Sequence, residues 1–210
     1  MMRDAGTDAV VATPHFYPNQ TTLASFLARR EDAAARLLAA GCTDIPKIFL
    51  GAEVLVCPGL QEMAELEKLA ITGTRLILLE MPFRRWDNKI IETVTEIRER
   101  GLYPILAHID RYKKEEVARL LRRGMVAQLN ADGVAGLFAY LKNRRYLAGN
   151  TAVALGSDLH GAEQGGYKHF TRAVKRLGST ADAIFARSEA LLEGALPLEQ
   201  AIEQAKTAKV

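Results

Sequence analysis

Five short apolar runs in this chain each end on an imidazole or a carboxylate. Val10-Val11-Ala12-Thr13-Pro14 leads to His15, and Lys47-Ile48-Phe49-Leu50-Gly51-Ala52 leads to Glu53. Leu76-Ile77-Leu78-Leu79 leads to Glu80, and Tyr103-Pro104-Ile105-Leu106-Ala107 to His108. Ala152-Val153-Ala154-Leu155-Gly156-Ser157 leads to Asp158, with His160 two residues on. Short apolar runs bounded by turn residues read as buried parallel strands, and parallel α/β proteins gather their chemistry at the carboxyl ends of such strands. Mixed imidazole and carboxylate donors suit Zn, Mn or Fe. Several donors brought to one mouth point to a polynuclear metal site, an arrangement that neutralises phosphate esters and activates water against them. Arg111, three residues past His108, stands where a guanidinium can grip phosphate oxygens in bidentate fashion.

Each residue also has an ordinary reading. His15 alone is a loop imidazole, and Glu53 in Gly51-Ala52-Glu53-Val54 a surface carboxylate. Glu80 lies between apolar residues and needs a partner, which a structural Arg would supply as well as a metal. The same logic applies to His108. Asp158 and His160 share a face if the strand continues. His169, inside an expected helix, is taken as structural, and Asp132 and Gln128 as loop and strand polar groups. Recurrence at five strand ends sets the first group apart.

The elements that must position these residues alternate along the chain. Strands are expected near Ala9–Thr13, Lys47–Leu50, Thr74–Leu79, Tyr103–Ala107, Met125–Leu129 and Thr151–Leu155. Helices are expected near Leu23–Ala40, from Pro58-Gly59 to Leu69, and over Asn88–Arg100, Lys114–Arg123 and Ala135–Leu147. Three more follow over Tyr167–Leu177, Ala181–Leu192 and Leu198–Lys206. Six β-then-α units with glycine-bounded connections indicate a barrel or a doubly wound sheet. Ligands spread over most units favour the barrel, because a ring brings non-neighbouring strand ends to one centre.

With 210 residues, 49% of them hydrophobic, the chain suits one globular domain over residues 1–210. The net charge of +3 is too small to imply a nucleic-acid partner. The basic stretches Arg119–Arg123 and Lys142–Arg145 lack interleaved aromatics and read as solvated helix faces. Cys42 and Cys57 fit no metal spacing and read as free thiols in a reducing cytoplasm. Neither has an Arg six residues on (Ile48 and Met63 stand there), which disfavours a cysteine-based phosphatase loop. No run is long enough for a membrane span, and no signal peptide is visible.

At these residues the chain resembles the PHP (polymerase and histidinol phosphatase) superfamily, and more closely its CpsB/CapC-type tyrosine-protein phosphatases of capsular polysaccharide operons. The likeness is carried by Ala12-Thr13-Pro14-His15, Gly51-Ala52-Glu53-Val54, Leu79-Glu80-Met81-Pro82-Phe83, Ala107-His108-Ile109-Asp110-Arg111-Tyr112, Gln128-Leu129-Asn130 and Gly156-Ser157-Asp158-Leu159-His160. The resemblance implies a distorted TIM-like (β/α) barrel with a helical C-terminal tail and up to three divalent ions, Mn2+ above Zn2+ or Fe. It implies that Glu53 bridges two metals, that Glu80 and His108 complete the second site and that Asp158 serves the first. His15 and His160 would hold the third, and Arg111 the phosphate. Asp110 stands where the family usually has Glu. The family opens with an Asp-x-His-x-His strand, an Asp-Asp-Gly turn and a helix, whereas Met1-Met2-Arg3-Asp4-Ala5-Gly6 matches the end of that helix. The expectation is that about 25 to 30 residues of the family layout, one strand and one helix, stand before it. A start codon assigned too late is favoured over a fragment or a decayed gene. The first metal site would otherwise keep only Glu53 and Asp158.

The activity so implied is metal-dependent phosphomonoester hydrolysis by a metal-bridged hydroxide, without a phosphoenzyme, on phosphotyrosine in a capsule- or exopolysaccharide-regulating kinase. Two alternatives stand beside it. One is another phosphoesterase of the superfamily, acting on histidinol phosphate or nucleic-acid ends. The other is an inactive relative that keeps the fold for binding. Self-association is a further expectation.

Overall fold

The structure is a computed structural model, described over residues 6–41, 45–148, 151–161 and 164–194, the side chains of 164–166 excepted. Met1–Ala5, Cys42 and the helix expected over Leu198–Lys206 lie outside the described residues.

Eight strands and seven α-helices follow one another among the described residues. The strands are β1 (Ala9–Ala12), β2 (His15–Phe16), β3 (Lys47–Leu50), β4 (Glu53–Leu55), β5 (Leu76–Glu80), β6 (Tyr103–Leu106), β7 (Val126–Asn130) and β8 (Ala152–Gly156). The helices are α1 (Leu23–Ala39), α2 (Asn88–Glu99), α3 (Lys114–Leu121), α4 (Asp132–Ala135), α5 (Leu137–Ala148), α6 (Gln164–Leu177) and α7 (Ser179–Leu192). All pairings are parallel, in the order β2-β4-β5-β6-β7-β8, with β1 beside β3.

Two of the expected strands, Ala9–Thr13 and Lys47–Leu50, form as β1 and β3, and each is followed after a break by a further short strand. Pro14 separates β1 from β2, since it brings no N–H to the ladder, and Gly51-Ala52 separates β3 from β4. The ladder still runs through the break: Gly51 N donates to Ala12 O at 2.9 Å, and Glu53 N to Pro14 O at 3.1 Å. His15 and Glu53 are therefore direct register partners.

The sheet is covered on both faces, as parallel sheets require. Ile77 and Leu79 join the larger core, shared with helices such as α2, which contributes Ile90, Val94 and Ile97. Leu76 and Leu78 face the opposite way and join a second cluster with Ile105, Val126 and Val153. Leu191 of α7 belongs to that second cluster, and Ser188 Oγ of the same helix donates to Val153 O at 2.6 Å. The caps follow the residue types: Asp87 accepts from Ile90 N at 3.0 Å to open α2, and Gly101, at φ 79°, turns the chain out of it.

The sheet curls so that its outer strands approach one another. His15, on the first edge, and His160, just beyond β8 on the last, lie 2.9 Å apart between Nε2 atoms. Thr7 Oγ1 and the Tyr167 hydroxyl, from the same two flanks, are also hydrogen-bonded. The two edges approach one another as a barrel would require, while no strand pairing among the described residues joins β8 to β1 or β2.

Three expectations change. The helix from Pro58-Gly59 is two short 3-10 turns, Leu60–Glu62 and Leu66–Leu69. The helix expected over Ala135–Leu147 stands as α5, and a short unexpected helix, α4, precedes it, ended by the extended backbone of Gly136 (φ −89°, ψ 152°). Asn130 belongs to the fifth expected strand, extending it to the site. No helix among the described residues is long and apolar enough to cross a membrane.

Candidate metal centre

The register of the sheet carries four of the expected residues to one point. Glu53 starts β4 and Glu80 ends the neighbouring β5; both are 7% exposed. His108 follows β6, is 1% exposed, and places Nε2 2.9 Å from Glu53 Oε1 and 3.9 Å from Glu80 Oε1. His15 closes the group, with Nδ1 3.8 Å from both Glu53 Oε1 and Glu80 Oε2. Donor atoms of His15, Glu53 and Glu80 all lie within 4.8 Å of one another.

This group lacks partners that its burial demands. His15 Nδ1, Glu80 Oε2 and His108 Nδ1 are buried without a hydrogen bond. An unpaired buried polar atom is costly, and three in one place mark a site that something else completes. Burial raises the Glu80 carboxyl above the ordinary carboxylate range, and the charge of Glu53 raises it further, against relief from His108, His15 and Arg111. Two buried carboxylates with oxygens within 4.8 Å of each other form an arrangement that a divalent cation relieves. The donor set, imidazole nitrogen and carboxylate oxygen, fits Mn, Zn or Fe.

Asp158 and His160 form a second group beside the first. His160 reaches His15, and its Nδ1 lies 3.7 Å from Asp158 Oδ1. Asp158 Oδ2 accepts from Arg111 Nη2 and, at 3.0 Å, from Asn130 Nδ2. No other hydrogen bond of the Arg111 guanidinium is formed among the described residues. Arg111, Asp158 and His160 border a cavity of about 270 Å³, together with Asp132, Ser157 and His169. His169, expected to be structural, instead lines this cavity from α6, and Asp132 lines it from α4.

The backbone is strained at this site. Among the described residues three non-glycine residues have positive φ, and two of them are His108 (φ 30°) and Asp158 (φ 52°). Such conformations cost energy and gather where a side chain must be aimed. Gln128 supports both. Its Oε1 accepts from His108 N, and its Nε2 donates to Asn130 Oδ1 at 2.8 Å and Leu129 O at 3.0 Å. Asn130 then reaches Asp158, while its own N–H donates to Asp110 Oδ1 at 2.9 Å. Reading Gln128 as an ordinary strand polar group missed this role. The signal was present: Gln128 and Asn130 sit at period two at the carboxyl end of an otherwise apolar strand, and so share a face.

A family described as capsular polysaccharide synthesis, CpsB/CapC, matches residues 1–178. The chain belongs to the CpsB/CapC family. Among individual relatives, the tyrosine-protein phosphatase YwqE of Bacillus subtilis (strain 168) is 25% identical over 169 residues. The match takes in 74% of this chain and 65% of YwqE, so the chain spans a little under two thirds of that relative's length. The fold has a solved counterpart in the crystal structures of YwqE from Bacillus subtilis and CpsB from Streptococcus pneumoniae, described as unique metal-dependent tyrosine phosphatases. The TM-score is 0.74 at 20% identity, covering 91% of this chain and 83% of that one.

Proposed function

We propose that this CpsB/CapC-family chain is a metal-dependent phosphomonoester hydrolase that acts on phosphotyrosine in a protein, a bacterial tyrosine kinase of capsule or exopolysaccharide regulation, in the cytoplasm. The observation that carries the reading is the convergence of His15, Glu53, Glu80 and His108 with three buried donor atoms left unpaired. The relatives named above support the choice of reaction.

His15, Glu53, Glu80 and His108 would hold divalent metal, Mn2+ first among the candidates, with Asp158 and His160 extending the set. The bound ions supply charge neutralisation for the phosphate and an activated water. Arg111, anchored through one nitrogen by Asp158, keeps the rest of its guanidinium for phosphate oxygens and the charge that builds on them at the transition state. Gln128 and Asn130 position His108 and Asp158 and keep water from rearranging them.

The test compares a phosphotyrosyl peptide with histidinol phosphate and with phosphate-ended oligonucleotides, with and without Mn2+, alongside Glu80→Ala. Metal-dependent turnover of the peptide, lost by about 100-fold or more in the variant, is expected. Hydrolysis that survives Glu80→Ala sinks the assignment.

A further inference from the structure

Phe83 stands at the rim of the centre with its ring 70% exposed. Exposed rings are common on mobile loops, but the backbone that leads into this residue is held at two points. Met81 N donates to the Tyr112 hydroxyl at 3.0 Å, and Trp86 Nε1 donates to Pro82 O at 3.0 Å. Tyr112 and Trp86 are themselves buried and packed edge to face, 5.3 Å apart. From below, the Phe83 ring rests against Tyr112 at 5.6 Å and lies parallel to the buried His108 ring, 3° between planes at 6.3 Å. The segment thus presents an apolar ring to solvent from a fixed position beside a polar centre.

A second ring stands opposite. Tyr17 stacks on His15, 5.4 Å between centroids and 15° between planes. The sequence of contacts across the mouth is Tyr17, His15, the Glu53 and Glu80 carboxylates, His108 and Phe83. Any phosphate ester bound with its phosphorus over the carboxylates carries its organic group out between these two rings.

Ester chemistry then decides which group fits. In an aryl phosphate a single oxygen separates phosphorus from the ring, so the ring falls within the rim. In an alkyl phosphate such as histidinol phosphate, a flexible chain intervenes and the ring lies beyond it. We infer that Phe83 is a specificity-determining residue, the platform on which the substrate's aromatic ring packs, with Tyr17 as the facing wall. The inference rests on the phosphoesterase reading above. Ring-on-ring contact of this kind is worth about 1 kcal/mol, a factor of about five in affinity.

The experiment measures binding of phenylphosphonate and methylphosphonate to the Mn2+-supplemented full chain by calorimetry. These probes share a phosphorus headgroup and differ in the ring, and neither is hydrolysed. The phenyl-to-methyl affinity ratio should fall about fivefold in Phe83→Ala and in Phe83→Leu, and be retained in Phe83→Tyr. Thermal melts confirm that each variant is folded, as substitution of an exposed ring permits. A ratio unchanged in Phe83→Leu, with methylphosphonate still bound, overturns the platform and leaves the phosphoesterase reading standing. If the wild-type chain binds neither phosphonate, the phosphoesterase reading falls and the platform with it.

Discussion

Gly156 lies against the side-chain amide of Gln128 so closely that a Cβ on Gly156 would stand 1.8 Å from Nε2 and 2.9 Å from Cδ. The end of a long side chain ordinarily swings aside at little cost. Gln128 is not free to do so, because it is 8% exposed and spends both ends of its amide on His108 N, Asn130 Oδ1 and Leu129 O. Gly156→Ala would therefore break the link between the two residues of strained backbone, His108 and Asp158. A destabilisation of about 2 kcal/mol is expected from crowding and lost hydrogen bonds. Urea unfolding of Gly156→Ala, Gln128→Ala and the double variant tests it. The double variant should cost less than the sum of the singles, since removing the amide makes room for the methyl. Strict additivity would show that the two residues do not interact.

The strand ends were legible in the sequence because an apolar run that stops on a charged residue leaves few alternatives in a parallel sheet. His15, Glu53, Glu80 and His108 were readable on that basis, and the structure brings all four together. What was not legible depends on tertiary context. The left-handed backbone of His108 and Asp158 has no signature in the spacing: His and Asp are enriched among non-glycine residues of positive φ, but most copies of either type lie in ordinary regions. The place of His169 depends on how α6 docks against α4, which no periodicity within α6 reveals. The short α4 before Gly136 was not legible, because the two glycines of Gly133-Val134-Ala135-Gly136 weaken any helix there. The pairing of Arg111 with Asp158 joins residues 47 apart in sequence, and no spacing rule predicts it.

The Glu53–Glu80 pair should make the fold itself sensitive to metal. The Glu53 charge opposes the ionisation of Glu80 in the protein without metal, and a divalent ion reverses that sign. Mn2+ at about 100 times its dissociation constant should stabilise the chain by about 2.7 kcal/mol. A thermal shift series with chelator and then Mn2+ reads this directly. Glu53→Gln keeps an oxygen for His108 while removing one negative charge. Its chelated form should melt no lower than the wild type, and Mn2+ should no longer raise the midpoint. An equal metal-induced rise in the variant would mean that the ion binds elsewhere.

Cys57 offers a separate check on the chemistry, because a thiol nucleophile is the main alternative to metal-activated water among tyrosine phosphatases. It follows β4, half-buried and packed against the main core, and its carbonyl accepts from Leu60 N at 3.1 Å. Burial raises its thiol above the ordinary value, the reverse of what an attacking cysteine needs. A raised value means less thiolate at any given pH. Alkylation by iodoacetamide should accordingly be slower than for free cysteine at pH 7.5, with the midpoint of its pH–rate curve displaced upward from about 8.5. The measurement uses a Cys42→Ser background so that one thiol reports. Cys57→Ser should retain Mn2+-dependent hydrolysis within about twofold, since the hydroxyl fills nearly the same space and the thiol takes no part in the reaction. Loss of all turnover in that variant, with the melting midpoint unchanged, would transfer the chemistry from the carboxylate centre to the thiol.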